Sequence, residues 1–145
     1  MARTDFYILS GNTTASRFSC TVASKAFAQG HTVHIFTSDP GEAESLDNLL
    51  WTFHDISFLP HARVNDTATD TPVSIGWPGA ATPDADVLIN LTNAVPECVS
   101  AFARVVEIVA DEPAQKERGR ERYKYYRDKG FELYTHDIRM DQGNG

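Results

Sequence analysis

The 145-residue sequence has only two cysteines, no long apolar run and a deficit of positive charge. Cys20 and Cys98 stand far apart and in no metal-ligand spacing, which argues against a disulfide framework or a cysteine metal site. We expect both to be reduced thiols in the core. No stretch approaches the ~20 apolar residues of a membrane span, and the apolar run 6–9 is shorter than the roughly 7–15 residues of a signal-peptide core. These absences predict a cytoplasmic protein.

Motifs for nucleotide binding and catalysis are also missing. Residues 10–16 (SGNTTAS) follow the first apolar run, where a phosphate loop would stand, but they contain neither G-x-G-x-x-G nor G-x-x-x-x-G-K-[ST]. No G-x-S-x-G elbow occurs, and neither cysteine lies in a local catalytic signature. We therefore predict no metal, no cofactor and no catalytic activity of the chain's own. A degenerate phosphate loop at Gly11 to Ser16 stays open as the alternative, because a helix N-terminus can hold an anion without such a motif.

Strand-like and helix-like segments alternate along the chain. Short β-rich runs predict strands at 5–10, 31–36, 73–77, 86–91, 104–109 and 131–135. Helical spacing and capping residues predict helices over 14–29, from 39 to about 50, and from about 113 to 129, with Gly30 and Gly130 as C-caps. Strand and helix in alternation predict a mainly parallel sheet with helices packed on its faces.

Two segments carry no periodic pattern. Residues 54–72 are interpreted as irregular, ending in an exposed loop rich in Thr and Asp from Asn65 to Thr71. Residues 139–145 are interpreted as a disordered tail. The rest, residues 1–138, is about the length of one domain, and we predict a single one.

Positive charge is concentrated in the last predicted helix. With 20 acidic and 13 basic residues the net charge is −7, so we expect no direct nucleic-acid binding, which needs Lys and Arg to neutralise phosphates. Yet seven of the 13 basic residues lie between positions 116 and 129. They are Lys116, Arg118, Arg120, Arg122, Lys124, Arg127 and Lys129. Such asymmetry indicates a binding surface.

Helical geometry sorts these residues into faces. At about 100° per residue, one stripe collects Lys116, Arg120, Tyr123, Lys124 and Arg127. Gly119 and Tyr126 are predicted to face the sheet. Arg118, Arg122 and Lys129 lie on other faces of the helix, and we expect them to contribute little to binding. Arginine forks beside an aromatic ring suit a carboxylate next to an apolar group, as at a peptide C-terminus. We predict an acidic partner; a merely solvated helix and direct DNA binding are the alternatives.

Several motifs, taken in order and spacing, resemble the chi subunit family of the bacterial DNA polymerase III holoenzyme. They are residues 46–51 (LDNLLW), 57–61 (SFLPH), 75–78 (IGWP), 86–91 (DVLINL) and 120–127 (RERYKYYR), followed by Gly130 and Phe131. The likeness extends from about residue 5 to residue 135. It implies a Rossmann-like three-layer α/β fold that lacks a phosphate loop, in a non-catalytic clamp-loader accessory subunit of a DNA-directed DNA polymerase (nucleotidyltransferase) complex.

The resemblance also implies two protein partners. Proteins of this family bind the acidic C-terminal tail of single-stranded-DNA-binding protein, which ends in Pro-Phe, and they pair with the psi subunit of the clamp loader. The implied tail site comprises Arg120, Tyr123, Lys124 and Val109, with Lys116 and Arg127 on the same stripe. The expected psi contact comprises Phe58, Leu59, Pro60 and His61. For Phe58 and Leu59 the alternative is that they cover the sheet. The loop 65–71 and the C-terminus after Tyr134 depart from the family's pattern.

Overall fold

The computed structural model describes residues 2–11, 13–52, 61–63, 73–80 and 84–138. Its strands are β1 (Arg3–Leu9), β2 (Val33–Phe36), β3 (His61–Arg63), β4 (Val73–Gly76), β5 (Val87–Asn90), β6 (Arg104–Val109) and β7 (Glu132–Ile138). Its helices are α1 (Ala15–Ala28), α2 (Pro40–Thr52) and α3 (Pro113–Asp128), with a short 3-10 helix at Glu97–Ala101. Within the described residues the strands form one seven-stranded sheet in the order β3-β4-β2-β5-β6-β1-β7, and every pairing is parallel. The predicted α/β class and its sheet are confirmed.

The inner strands β2, β5 and β6 are largely buried because helices cover the sheet on both faces, as parallel sheets require. Alternate side chains of β6 enter two separate clusters. Val106 and Ile108 pack with residues of α1 and α2, whereas Val105 and Val109 pack with Tyr126 of α3. The result is a three-layer arrangement in which α3 lies on the opposite face of the sheet from α1 and α2.

The helix ends follow from the capping residues in the sequence. Thr14 caps α1 by accepting a hydrogen bond from the backbone N–H of Arg17 at 3.2 Å. Asp39 caps α2 by accepting from the backbone N–H of Glu42 at 2.8 Å. Gly30 and Gly130 follow α1 and α3 with φ of 89° and 87°, the left-handed conformation of a C-cap glycine. No helix in the described part of the chain combines the length and the apolar character needed to cross a membrane.

Part of the segment that was interpreted as irregular is ordered. His61–Arg63 forms β3, a parallel edge strand paired with β4. The interpretation of 54–72 as wholly irregular is therefore wrong at these three positions, because a strand of three residues is too short to show a period. The predicted loop 65–71 and the predicted tail 139–145 lie outside the described residues.

Candidate functional site

An open groove of about 410 Å³ lies between α3 and the neighbouring strands of the sheet. The sheet contributes Phe6, Ile8, Val109 and Thr135, and α3 contributes Lys116, Gly119, Arg120 and Tyr123. One side of the groove is thus largely apolar, while the helix side carries two cations and a phenol. This arrangement can hold an apolar or aromatic group that has a negative charge beside it.

The floor of the groove depends on a close approach of α3 to β6. Gly119 is buried, and a Cβ atom at this position would lie 2.8 Å from Cγ2 of Val109. Glycine in mid-helix costs about 1 kcal/mol relative to alanine, so the close packing explains its presence. Val109 is only 2% exposed and forms the floor rather than an outer wall.

Gly119→Ala is therefore expected to lower the free energy of unfolding by about 1 kcal/mol. Overpacking costs about 1–3 kcal/mol, while the gain in helix propensity is about 1 kcal/mol. Chemical denaturation measures the difference. In a Val109→Ala background the clash is absent, and the same substitution should become stabilising; a loss of similar size in both backgrounds would contradict the role assigned to Val109.

Tyr123 is held at the groove by aromatic contacts beneath it. Its ring centroid lies 5.4 Å from that of Phe6 at an interplanar angle of 56°. Phe6 in turn meets Tyr126 edge-on at 5.9 Å. Because Phe6 and Tyr126 are buried, the position of the Tyr123 ring is set by the core.

The cations of the predicted stripe differ in their surroundings. Arg120 and Lys124 are exposed, and neither forms an ion pair with any residue that the structure describes. Lys116 pairs with Asp111, with Nζ 3.1 Å from Oδ1, and Arg127 pairs with the adjacent Asp128 at 3.4 Å. The groove brings together Lys116, Arg120, Tyr123 and Val109; Lys124 and Arg127 lie on the exposed surface of α3 beyond its lining.

Arg122, which was expected to contribute little, is part of a buried network. It is 3% exposed, and its Nε lies 2.7 Å from Oε1 of the fully buried Glu107. The phenol of Tyr126 donates to Oε2 of Glu107 at 2.6 Å, and the amide of Asn90 donates to the same oxygen at 2.9 Å. Burial and the nearby carboxylate raise the pKa of Tyr126, so its phenol keeps the proton it donates.

This network anchors α3 to β5 and β6 and so fixes the helix side of the groove. The prediction that Arg122 lies on another face of α3 than the stripe is confirmed, but its part in a buried network was not predicted. One signal was present in the sequence. Glu107 interrupts the apolar run RVVEIV of β6, and a carboxylate in a buried strand requires a cation or several donors.

The position expected for a phosphate loop is occupied by the chain's own carboxylate. The backbone N–H of Gly11 donates to Oδ2 of Asp111 at 2.9 Å. The space around it is lined by Glu42, Asp111 and Glu112. A phosphate entering here would face three carboxylates, which counts against the nucleotide-binding alternative.

A larger cavity of about 950 Å³ lies beside Phe36, Trp77 and Pro96. Among its described lining residues Glu97 carries the only charge, so it is a poor receptor for an acidic ligand. Of the residues expected to contact psi, Phe58, Leu59 and Pro60 lie outside the described residues. The backbone of His61 pairs with Val73 in β3 and β4. In the described ranges no three His, Cys, Asp or Glu side chains are grouped as metal ligands.

The sequence model of the family described as "DNA polymerase III chi subunit, HolC" matches residues 1–134. The chain is 35% identical over 140 residues to DNA polymerase III subunit chi of Pseudomonas aeruginosa, covering 95% of this chain and 98% of that protein. It is 34% identical over 143 residues to the subunit chi of Escherichia coli K12, covering 93% and 97%.

Solved structures with a similar fold include T4 UvsW, with a TM-score of 0.65 at 8% identity. A structure of Saccharomyces cerevisiae Dbp5 superposes with a TM-score of 0.60 at 9% identity. Each superposition covers 96% of this chain but only 42% of the larger protein. At such low identity the likeness concerns the fold alone.

Proposed function

The chain belongs to the DNA polymerase III chi subunit family, a family of DNA replication proteins, and on that premise we propose that it binds the acidic C-terminal tail of single-stranded-DNA-binding protein in the groove beside α3. In this function the chain is an accessory subunit without chemistry of its own. It links the polymerase complex to coated single-stranded DNA, with the psi subunit of the clamp loader as its second partner.

The observation that carries the proposal is that an apolar slot lies beside an arginine that has no ion-pair partner among the described residues. The terminal Phe ring of the tail would enter between Tyr123 and the floor made by Val109 and Ile8. Its α-carboxylate would then lie near the guanidinium of Arg120, which has no anionic partner among the described residues. Lys124, one helical turn further on, is available to the acidic residues that precede the Phe.

The expected affinity follows from these contacts. Burying the ring is worth about 1.5–3 kcal/mol, and a hydrogen bond to a charged group about 1.5–3 kcal/mol. These two contacts together give about 3–6 kcal/mol and the exposed cations add less, so binding no tighter than the micromolar range, about −8 kcal/mol, is expected.

Calorimetry with a synthetic tail peptide tests the proposal. We expect micromolar binding at low salt that weakens as ionic strength rises, since exposed charges are screened. The matched control is the same peptide without its last two residues, Pro and Phe, which keeps most of the acidic charge but cannot fill the slot. Loss of binding on truncation would support binding of the terminal Phe in the groove. Equal binding of both peptides would mean that charge alone attracts the tail.

The second partnership rests on the family resemblance, and three of its four proposed contact residues lie outside the described ranges. Phe58, Leu59, Pro60 and His61 are the proposed contact with psi. Co-purification of the two chains, with Phe58→Ala compared against the unmodified protein, tests it. If the variant still co-purifies with psi, Phe58 is not part of the contact and the contact lies elsewhere on the chain.

Direct DNA binding is an alternative function that the same purified protein can be used to test. Fluorescence anisotropy with a bare single-stranded oligonucleotide should show no binding at the concentrations that saturate the tail peptide, because the net charge of −7 opposes it. Tighter binding of the oligonucleotide than of the peptide would replace the proposed function.

A further inference from the structure

One cation of the groove is already engaged by the chain itself. Lys116 lines the groove, yet its Nζ lies 3.1 Å from Oδ1 of Asp111. The other carboxylate oxygen of Asp111 accepts the backbone N–H of Gly11 at 2.9 Å. The Asp111 carboxylate is therefore held from two sides, by Lys116 in the first turn of α3 and by Gly11 in the turn that follows β1.

Lys116 therefore differs in its ion pairing from Arg120, which lies one turn further along the same helix. Arg120 can meet an incoming carboxylate without first losing a partner in the described structure. Lys116 must give up or share an existing ion pair, and the negative charge of Asp111 stays beside it. A ligand carboxylate and Asp111 are thus rivals for one ammonium group.

We propose that Asp111 is an intramolecular competitor for Lys116 that lowers the affinity of the groove for an acidic peptide. The proposal rests on the proposed function, since it concerns the regulation of the same site. Asp111 keeps its place during the exchange because its bond to Gly11 does not involve Lys116. This competition lowers the affinity of the groove, so that the acidic peptide binds weakly and reversibly.

The charge state of Asp111 supports continuous competition. The hydrogen bond from the Gly11 backbone and the ammonium of Lys116 hold the pKa of this carboxyl below its usual range. Asp111 is then ionised throughout the neutral range.

The test compares the affinity of an acidic tail peptide for the full chain and for Asp111→Asn. Asparagine keeps a side-chain oxygen for the Gly11 N–H but removes the charge that holds Lys116. We expect binding to tighten about two- to fivefold at low salt, the range that an exposed ion pair can supply, and the gain to shrink at high salt. Glu112→Gln is the matched control, because it removes the adjacent charge, and Glu112 forms no ion pair with any described residue.

A second comparison isolates Lys116. In a Lys116→Met background Asp111→Asn should no longer tighten binding, since the contested ammonium is gone. Unchanged or weaker binding by Asp111→Asn in the unmodified background overturns the inference, and so does an equal gain from Glu112→Gln or in the Lys116→Met background. Thermal unfolding of each variant shows that the fold is kept. Failure of the unmodified chain to bind the peptide would instead overturn the proposed function itself.

Discussion

Replacing Arg122 with methionine is expected to lower the free energy of unfolding by about 3–5 kcal/mol, the cost of leaving one member of a buried ion pair without its partner. Methionine fills a similar volume, so the loss arises from the stranded carboxylate of Glu107, which is fully buried. Asn90 and Tyr126 would still donate to that carboxylate, but no cation would remain beside it in the described core. Urea denaturation followed by circular dichroism measures the change.

The chain contains a matched control for this substitution. Arg118 lies one turn before Arg122 on α3 and is exposed, so Arg118→Met should change stability by no more than about 0.5 kcal/mol. A double variant, Glu107→Gln with Arg122→Met, removes both charges and should recover much of the loss. If the two arginine variants unfold at the same urea concentration, the buried pair does not hold α3 in place.

Replacing Arg120 with alanine is expected to weaken binding of the tail peptide by about 1.5–3 kcal/mol, the value of a hydrogen bond to a charged group. This corresponds to a loss of roughly 10- to 150-fold in affinity. The effect should fall on binding alone, because Arg120 is exposed and contacts no anion in the described structure. Calorimetry gives the affinity, and an unchanged unfolding midpoint shows that the fold is intact.

Two further variants make the result specific. Arg118→Ala removes the same charge from another face of α3 and should weaken binding much less, through long-range attraction only. Arg120→Lys keeps the charge but loses the planar fork, so it should recover only part of the affinity. Equal losses from Arg118→Ala and Arg120→Ala would show that the net charge of the helix, rather than the groove, attracts the peptide.

Most secondary-structure elements could be predicted because their signals are local. Strand β6 was predicted at its observed bounds, Arg104–Val109, from a run of β-branched residues. The caps at Thr14 and Gly30 marked the ends of α1 to within a residue or two. The 3-10 helix at Glu97–Ala101 was missed because five residues without a helical period carry no such signal.

The binding stripe was predictable for a similar reason. A helix of 3.6 residues per turn sorts its side chains into faces by position alone, so the spacing of Lys116, Arg120 and Tyr123 was sufficient to put them together. Val109 needed the resemblance, since nothing in the spacing of a strand residue shows which helix will cover it.

By itself the sequence determined the alternation of strands and helices, the ends of α1 and α3, and the concentration of positive charge on one face of α3. Only the tertiary structure decided which charged residues of that helix are exposed and which are buried in the core. Arg118, Arg120 and Arg122 are the same residue type at alternate positions of one helix. Arg118 is exposed outside the groove lining, Arg120 is exposed and lines the groove, and Arg122 is buried against Glu107. The contacts of Asp111 with Lys116 and with the backbone N–H of Gly11 likewise join the turn before α3 to the turn after β1. Such differences arise from long-range packing, because the environment of a side chain is set by strands that are distant in the sequence.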